Sequence, residues 1–135
     1  MENWRIYLAG YTKETEYRRI VHENYGVYFD IVDPLILTPQ TYVRVPSADK
    51  FLITTCHILV AYIRECSFGT SMEILFAYDR NKLVFIIDPT GQIRKDKWVK
   101  FHCHRFFDSI DECFLTLKNS DLSEWLMGGE NEEQK

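Results

Sequence analysis

The chain has 135 residues, 46% hydrophobic and 15% aromatic, which suits one compact domain and argues against a disordered chain. Its formal charge of −4 disfavours a dedicated nucleic-acid binder, which would show a basic face. A small polar or phosphorylated ligand remains compatible with that charge, because a helix N-terminus binds anions locally.

The opening stretch MENWRIYLAGYTKE lacks the basic and then long apolar pattern of a signal peptide. Residues 6–9 form a short apolar run ending at Gly10, which predicts a buried strand opening into a loop. Residues 13–24 carry helix formers with Tyr17, Ile20 and Val21 at helical spacing, stopped by Asn24 and Gly26. Residues 27–32 are β-prone, and Asp33-Pro34 ends them. Residues 35–46 contain two prolines and predict a long loop or lid. Ser47 or Asp49 is expected to cap a short helix through Thr55.

Residues 58–63 predict another apolar strand. Residues 69–78 predict a loop entering a helix with Met72, Leu75 and Phe76 on one face. Residues 83–87 predict a strand, and residues 99–107 a last strand centred on His102-Cys103-His104. Residues 109–117 predict a helix, and residues 122–127 a further turn or two. The most apolar window, 51–63, contains Thr54, Thr55 and His57, so no membrane span is expected. The four cysteines at 56, 66, 103 and 113 have no C-x-x-C spacing, which suits reduced thiols in the cytoplasm.

Strands alternate with helices, and the strands are continuous apolar runs. That pattern predicts a single-domain, doubly wound α/β fold (Rossmann-like or flavodoxin-like): a mostly parallel sheet with helices on both faces. The domain is expected over residues 1–127, with a disordered tail over residues 128–135. Ligands in such folds bind at the carboxyl ends of the strands, so residues 7–11, Asp33 and residues 67–73 are expected to gather at one edge.

Three pieces stand in order: I-Y-L-A-G at 6–10, Asp49 before an apolar strand, and F-G-T-S-M-E-I-L-F-A at 68–77. Across residues 5 to 88 this pattern resembles the nucleoside 2-deoxyribosyltransferase family, including the related 2′-deoxynucleoside 5′-monophosphate N-hydrolases. The resemblance implies that Glu73 is a nucleophile forming a glycosyl-enzyme ester, that Tyr7 orients it, and that Asp49 assists proton transfer at the leaving base. A carboxylate suits an oxocarbenium-like transition state, which it stabilises and then bonds. Read without the resemblance, Glu73 is a partner for a helix dipole, Asp49 an N-cap and Tyr7 a core tyrosine.

In that family an acidic residue six positions before the nucleophile accompanies free nucleosides, and serine accompanies 5′-monophosphates. Ser67 stands there and leans the expectation towards nucleotides, with Gly69, Thr70 and Ser71 adding donors at the helix start. The same three hydroxyl residues also read as plain loop and capping residues. Gly10, Tyr11 and Asp33 complete the expected substrate-binding set. The loop after Gly10 lacks the family's phosphate-binding Ser/Arg/Gly pattern, and Lys13 or Arg18 is the expected substitute.

His57 is expected to be structural. His102 and His104 alternate as metal ligands would on a strand, yet no second ligand pair follows, so neither metal nor cofactor is expected. The expected partner is a small nucleoside or nucleotide, with no nucleic acid and no membrane. The resemblance also implies a homo-oligomer in which a neighbouring subunit closes the pocket. The competing reading is a non-catalytic nucleotide-binding module of the same fold.

Overall fold

The computed structural model describes residues 3–11, 15–37, 45–65 and 67–126. The expectations on Lys13, Cys66, residues 38–44, Met127 and the tail 128–135 lie outside the described residues. The element order is β1 (Arg5–Gly10), α1 (Thr15–Tyr25), β2 (Asp30–Val32), α2 (Pro34–Leu37), α3 (Val45–Thr54), β3 (Ile58–Tyr62), α4 (Phe68–Asp79), β4 (Leu83–Ile87), a 3-10 turn (Ile93–Lys95), α5 (Lys97–Phe101), β5 (Arg105–Phe107), α6 (Ile110–Asn119) and α7 (Leu122–Leu126).

The five strands form one all-parallel sheet in the order β2-β1-β3-β4-β5. This is the doubly wound α/β fold with its topological switch between β1 and β3, the place where such folds receive ligands. Residues on both sides of the central strands are buried, as parallel strands between two helical layers require. On one face Ile6, Leu8, Val60 and Phe85 pack with Tyr17 of α1 and Phe114 of α6. On the other, Tyr7, Ala9, Leu59 and Ala61 pack with Ile53 of α3 and Ile74 of α4. Each such fully buried aliphatic or aromatic side chain contributes roughly 1.5–3 kcal/mol.

Several local expectations are corrected. β2 is three residues long, because Tyr28 turns back on Tyr25 before the strand begins. The expected loop at 35–46 begins instead with α2: the Asp33 carboxylate accepts from the Leu35 amide, and its carbonyl accepts from Ile36 and Leu37. Ser47 and Asp49 are interior to α3, which starts at Val45 with Pro46 in its first turn, where a missing N–H costs nothing. Met72 and Leu75 are exposed, and the buried face of α4 is Thr70, Ile74 and Ala77. The strand expected at 99–107 is mostly helix: Asp96 caps α5 by accepting from Val99 N, His102 ends it, and only Arg105–Phe107 is strand. No described helix is long and apolar enough to cross a membrane.

Candidate active site at the edge of β1 and α4

Tyr7 sits in the middle of β1, fully buried, with its ring on the face that packs against α3 and α4. Its hydroxyl donates to Glu73 Oε2 of α4. Ser67 is the N-cap of α4, so Glu73 is the sixth helical residue and lies in the second turn. The helix dipole fades within the first turn, which removes the plain reading of Glu73 as a dipole partner. Its carboxyl is pushed up to about 7. Desolvation is the main cause and the nearby charge of Asp49 adds to it, while the Tyr7 hydrogen bond and the charge of Arg18 pull the other way.

Asp49 comes from α3, half-buried, and its negative charge also reaches Tyr7. The Tyr7 hydroxyl is driven far above its ordinary range, first by burial and then by Glu73, so it stays a neutral donor at any working pH. The sheet and two helices thus bring Tyr7, Glu73 and Asp49 together. Two carboxylates with one raised pKa beside a fixed donor form an arrangement able to divide nucleophile and acid roles.

The remaining expected residues fall into two groups. Gly10 ends β1 at φ +144°, where a Cβ would stand 2.8 Å from the Tyr62 carbonyl, so only glycine fits. Tyr11 follows it, 37% exposed at the strand end. Ser67 Oγ accepts from Thr70 N at 3.2 Å and donates to Thr70 Oγ1 at 2.8 Å, and Ser71 Oγ donates to the Ser67 carbonyl at 3.0 Å. Thr70 is buried, while Gly69 and Ser71 are exposed at the helix start.

Asp33 and Arg18 have tasks the sequence did not suggest. Asp33 is 3% exposed; its Oδ1 meets Arg18 Nη1 at 2.9 Å and its Oδ2 faces His22 Nε2 at 3.2 Å. Arg18, expected as a phosphate ligand, is 5% exposed and engaged with the backbone of β1. The missed signal was positional: in α1 Arg18 shares the buried side with Tyr17, Val21 and Tyr25, where a cation must find internal partners.

His57 Nδ1 accepts from Arg5 N and His104 Nδ1 accepts from Val84 N, and burial lowers the pKa of His104; both rings serve as structural hydrogen-bond acceptors. Among the described residues no group of His, Cys, Asp or Glu could hold a metal ion. Cys56, Cys103 and Cys113 are buried, and Cys103 Sγ donates to the Arg105 carbonyl at 3.1 Å.

No protein-family model and no curated protein matches the sequence. Solved structures match by shape. A 2-deoxyribosyltransferase from Bacillus psychrosaccharolyticus superposes with a TM-score of 0.69 at 20% identity, over 89% of this chain and 94% of that one. A 2-deoxyribosyltransferase from Leishmania mexicana gives 0.66 at 17%, over 88% and 99%. A CMP N-glycosidase from Clostridium botulinum gives 0.61 at 18%, over 86% and 99%. At such identities the likeness is one of fold.

Proposed function

We propose that this chain cleaves or transfers the N-glycosidic bond of a (2′-deoxy)nucleoside or its 5′-monophosphate, as a member of the nucleoside 2-deoxyribosyltransferase family. The observation that carries the reading is the Tyr7–Glu73 hydrogen bond beside Asp49, with the Glu73 carboxyl raised to about 7. The likeness in fold to two 2-deoxyribosyltransferases and a CMP N-glycosidase supports it.

In this reading Glu73, oriented by Tyr7, attacks the anomeric carbon. The bond from that carbon to the base nitrogen breaks, its electron pair leaves with the base, and Asp49 delivers the proton that neutralises it. The resulting ester is opened by water or by a second base. Ser67 and the first-turn amides of α4 favour a 5′-phosphate over a carboxylate-recognised hydroxyl. Gly10 and Tyr11 line the strand end on the base side, and Tyr11 offers a face for stacking.

The test is incubation with a panel of nucleosides and nucleotides, followed by chromatographic detection of free base, with Glu73→Gln as control. Glu73→Gln should lose about 10³-fold or more of turnover while retaining ligand binding. Retention of more than a tenth of turnover assigns the nucleophile to another residue. Binding of a nucleotide with no cleavage by the wild type moves the chain to the binding-module reading.

Self-association is part of the same proposal. Phe68, Met72 and Leu75 of α4 and Trp98 and Phe101 of α5 are exposed, and a groove between Ser71, Met72, Leu75, Trp98, Val99 and His102 opens beside them. A monomer by light scattering at micromolar concentration counts against it.

A further inference from the structure

β2 pairs with β1 only as far as Tyr7, opposite Val32. The Trp4 carbonyl accepts from Asp30 N on the β2 side, and the Arg5 carbonyl accepts from His57 N on the β3 side. Even-numbered residues of β1 therefore turn their carbonyls towards β2. The chain leaves the sheet at Asp33, so the carbonyls of Leu8 and Gly10 extend past the end of their neighbouring strand. Arg18 fills that position from α1. Its Nη1 donates to Leu8 O at 3.0 Å and its Nη2 to Gly10 O at 3.1 Å, so one planar fork supplies the donors that two further residues of β2 would have given. Nη1 also meets Asp33 Oδ1 at 2.9 Å, where β2 ends.

A buried ion pair of this kind is weak evidence for stability, since well-packed apolar residues often serve a fold as well or better. We propose that Arg18 is a positioning residue for the chemistry at Glu73: its fork fixes the second half of β1 at Leu8 and Gly10, directly after the Tyr7 whose hydroxyl donates to Glu73. This rests on the reading of Glu73 as the nucleophile. The charge acts in the same direction. Among the groups that face Glu73 from each element packed around it, Tyr7 of β1 donates to it, Asp49 of α3 repels its charge, and Arg18 of α1 is the cation that favours ionisation. Tyr17 of α1 also senses the charge of Glu73 and stays neutral behind its own burial.

The decisive variant is the pair Arg18→Gln with Asp33→Asn, which removes both charges together and leaves no unpaired buried ion. On a substrate the wild type cleaves, kcat should fall about tenfold or more with KM changing far less, since a small misplacement acts on the reacting geometry. The acid limb of the kcat profile should move to higher pH. Arg18→Lys should restore the limb and leave kcat reduced, because it returns the charge without the two-armed grip. A folded double variant with wild-type kcat and an unmoved limb overturns the proposal. Should the double variant fail to fold, Arg18→Lys decides alone: wild-type kcat overturns the proposal, and a reduced kcat at an unmoved limb sustains it. Should the wild type release no base from any substrate, the functional reading fails separately. The titration of the Glu73 carboxyl, followed by carbon-13 NMR in wild type and double variant, then decides: a higher midpoint in the variant sustains the role of Arg18 and an equal midpoint overturns it.

Discussion

Replacing Glu73 by glutamine should stabilise the protein, and only at neutral to alkaline pH. The folded state raises this carboxyl from its ordinary value near 4.5 to about 7. A group with a raised acid pKa binds its proton more tightly folded than unfolded, so stability falls as pH climbs between those two values. Below about 4.5 the carboxyl is protonated in both states and the penalty is absent. Above about 7 it is ionised in both and the penalty is complete, at about 3 kcal/mol. Glutamine carries no charge, keeps the volume and still accepts from the Tyr7 hydroxyl, though without charge assistance. That loss returns about 1 kcal/mol, so the net gain at pH 8 is about 2 kcal/mol, or about 5–10 °C in Tm. Thermal melts by circular dichroism of both proteins at pH 4.5 and pH 8 measure it directly. Equal Tm differences at the two pH values would refute the account of a desolvated Glu73, whatever the activity of the variant.

Three further outcomes follow from the same geometry. Asp49→Asn removes a like charge and should move the acid limb of cleavage to lower pH, whereas Tyr7→Phe removes a stabilising donor and should move it to higher pH; matching displacements in rate profiles would contradict the arrangement. Gly10→Ala, forced to φ +144° with its Cβ 2.8 Å from the Tyr62 carbonyl, should cost at least about 2 kcal/mol in urea unfolding. Ser67→Asp preserves an N-cap on α4 and should leave stability nearly unchanged while weakening nucleotide turnover far more than nucleoside turnover; equal losses would remove the phosphate preference.

The fold was legible because its strands announce themselves. Residues 6–9, 58–63 and 83–87 are apolar runs that need no partner information to be recognised, and the sheet places them side by side. The elements read wrongly are those whose form depends on local caps. Lys97–Phe101 is helical because Asp96 accepts from Val99 N and His102 Nδ1 meets the Trp98 carbonyl, neither of which a strand-like composition discloses. Met72 and Leu75 satisfy a helical spacing yet face outward, since Thr70, Ile74 and Ala77 are small or branched enough to lie flat against the sheet. The Tyr7–Glu73 contact was legible only through the order of motifs. Arg18 and Asp33 were not, because a charged residue announces exposure, and their burial follows from the early end of β2.

The fold treats the charges of two carboxylates, Asp88 and Glu73, in opposite ways. Asp88 follows β4 and is 1% exposed. Desolvation alone would raise its carboxyl, but Arg94 Nε donates to it at 3.0 Å and the amides of Gly91 and Arg94 at 3.1 Å, and its pKa ends below the ordinary value. That is a carboxylate whose charge the fold welcomes, and its ionisation stabilises the loop it holds together. Glu73 has the opposite sign. Its described donor is a single tyrosine, a second carboxylate stands near, and the cation that favours its ionisation, Arg18, is already shared among Asp33 and two carbonyls. A fold selected for stability alone would place glutamine, leucine or alanine at 73. The positive φ of Gly10 and the buried Arg18–Asp33 pair, whose arginine grips the Leu8 and Gly10 carbonyls, meet at the same end of β1. Departures from local optimality that cluster along β1, in a sheet that is otherwise apolar and regular, support the proposal of a reacting centre there.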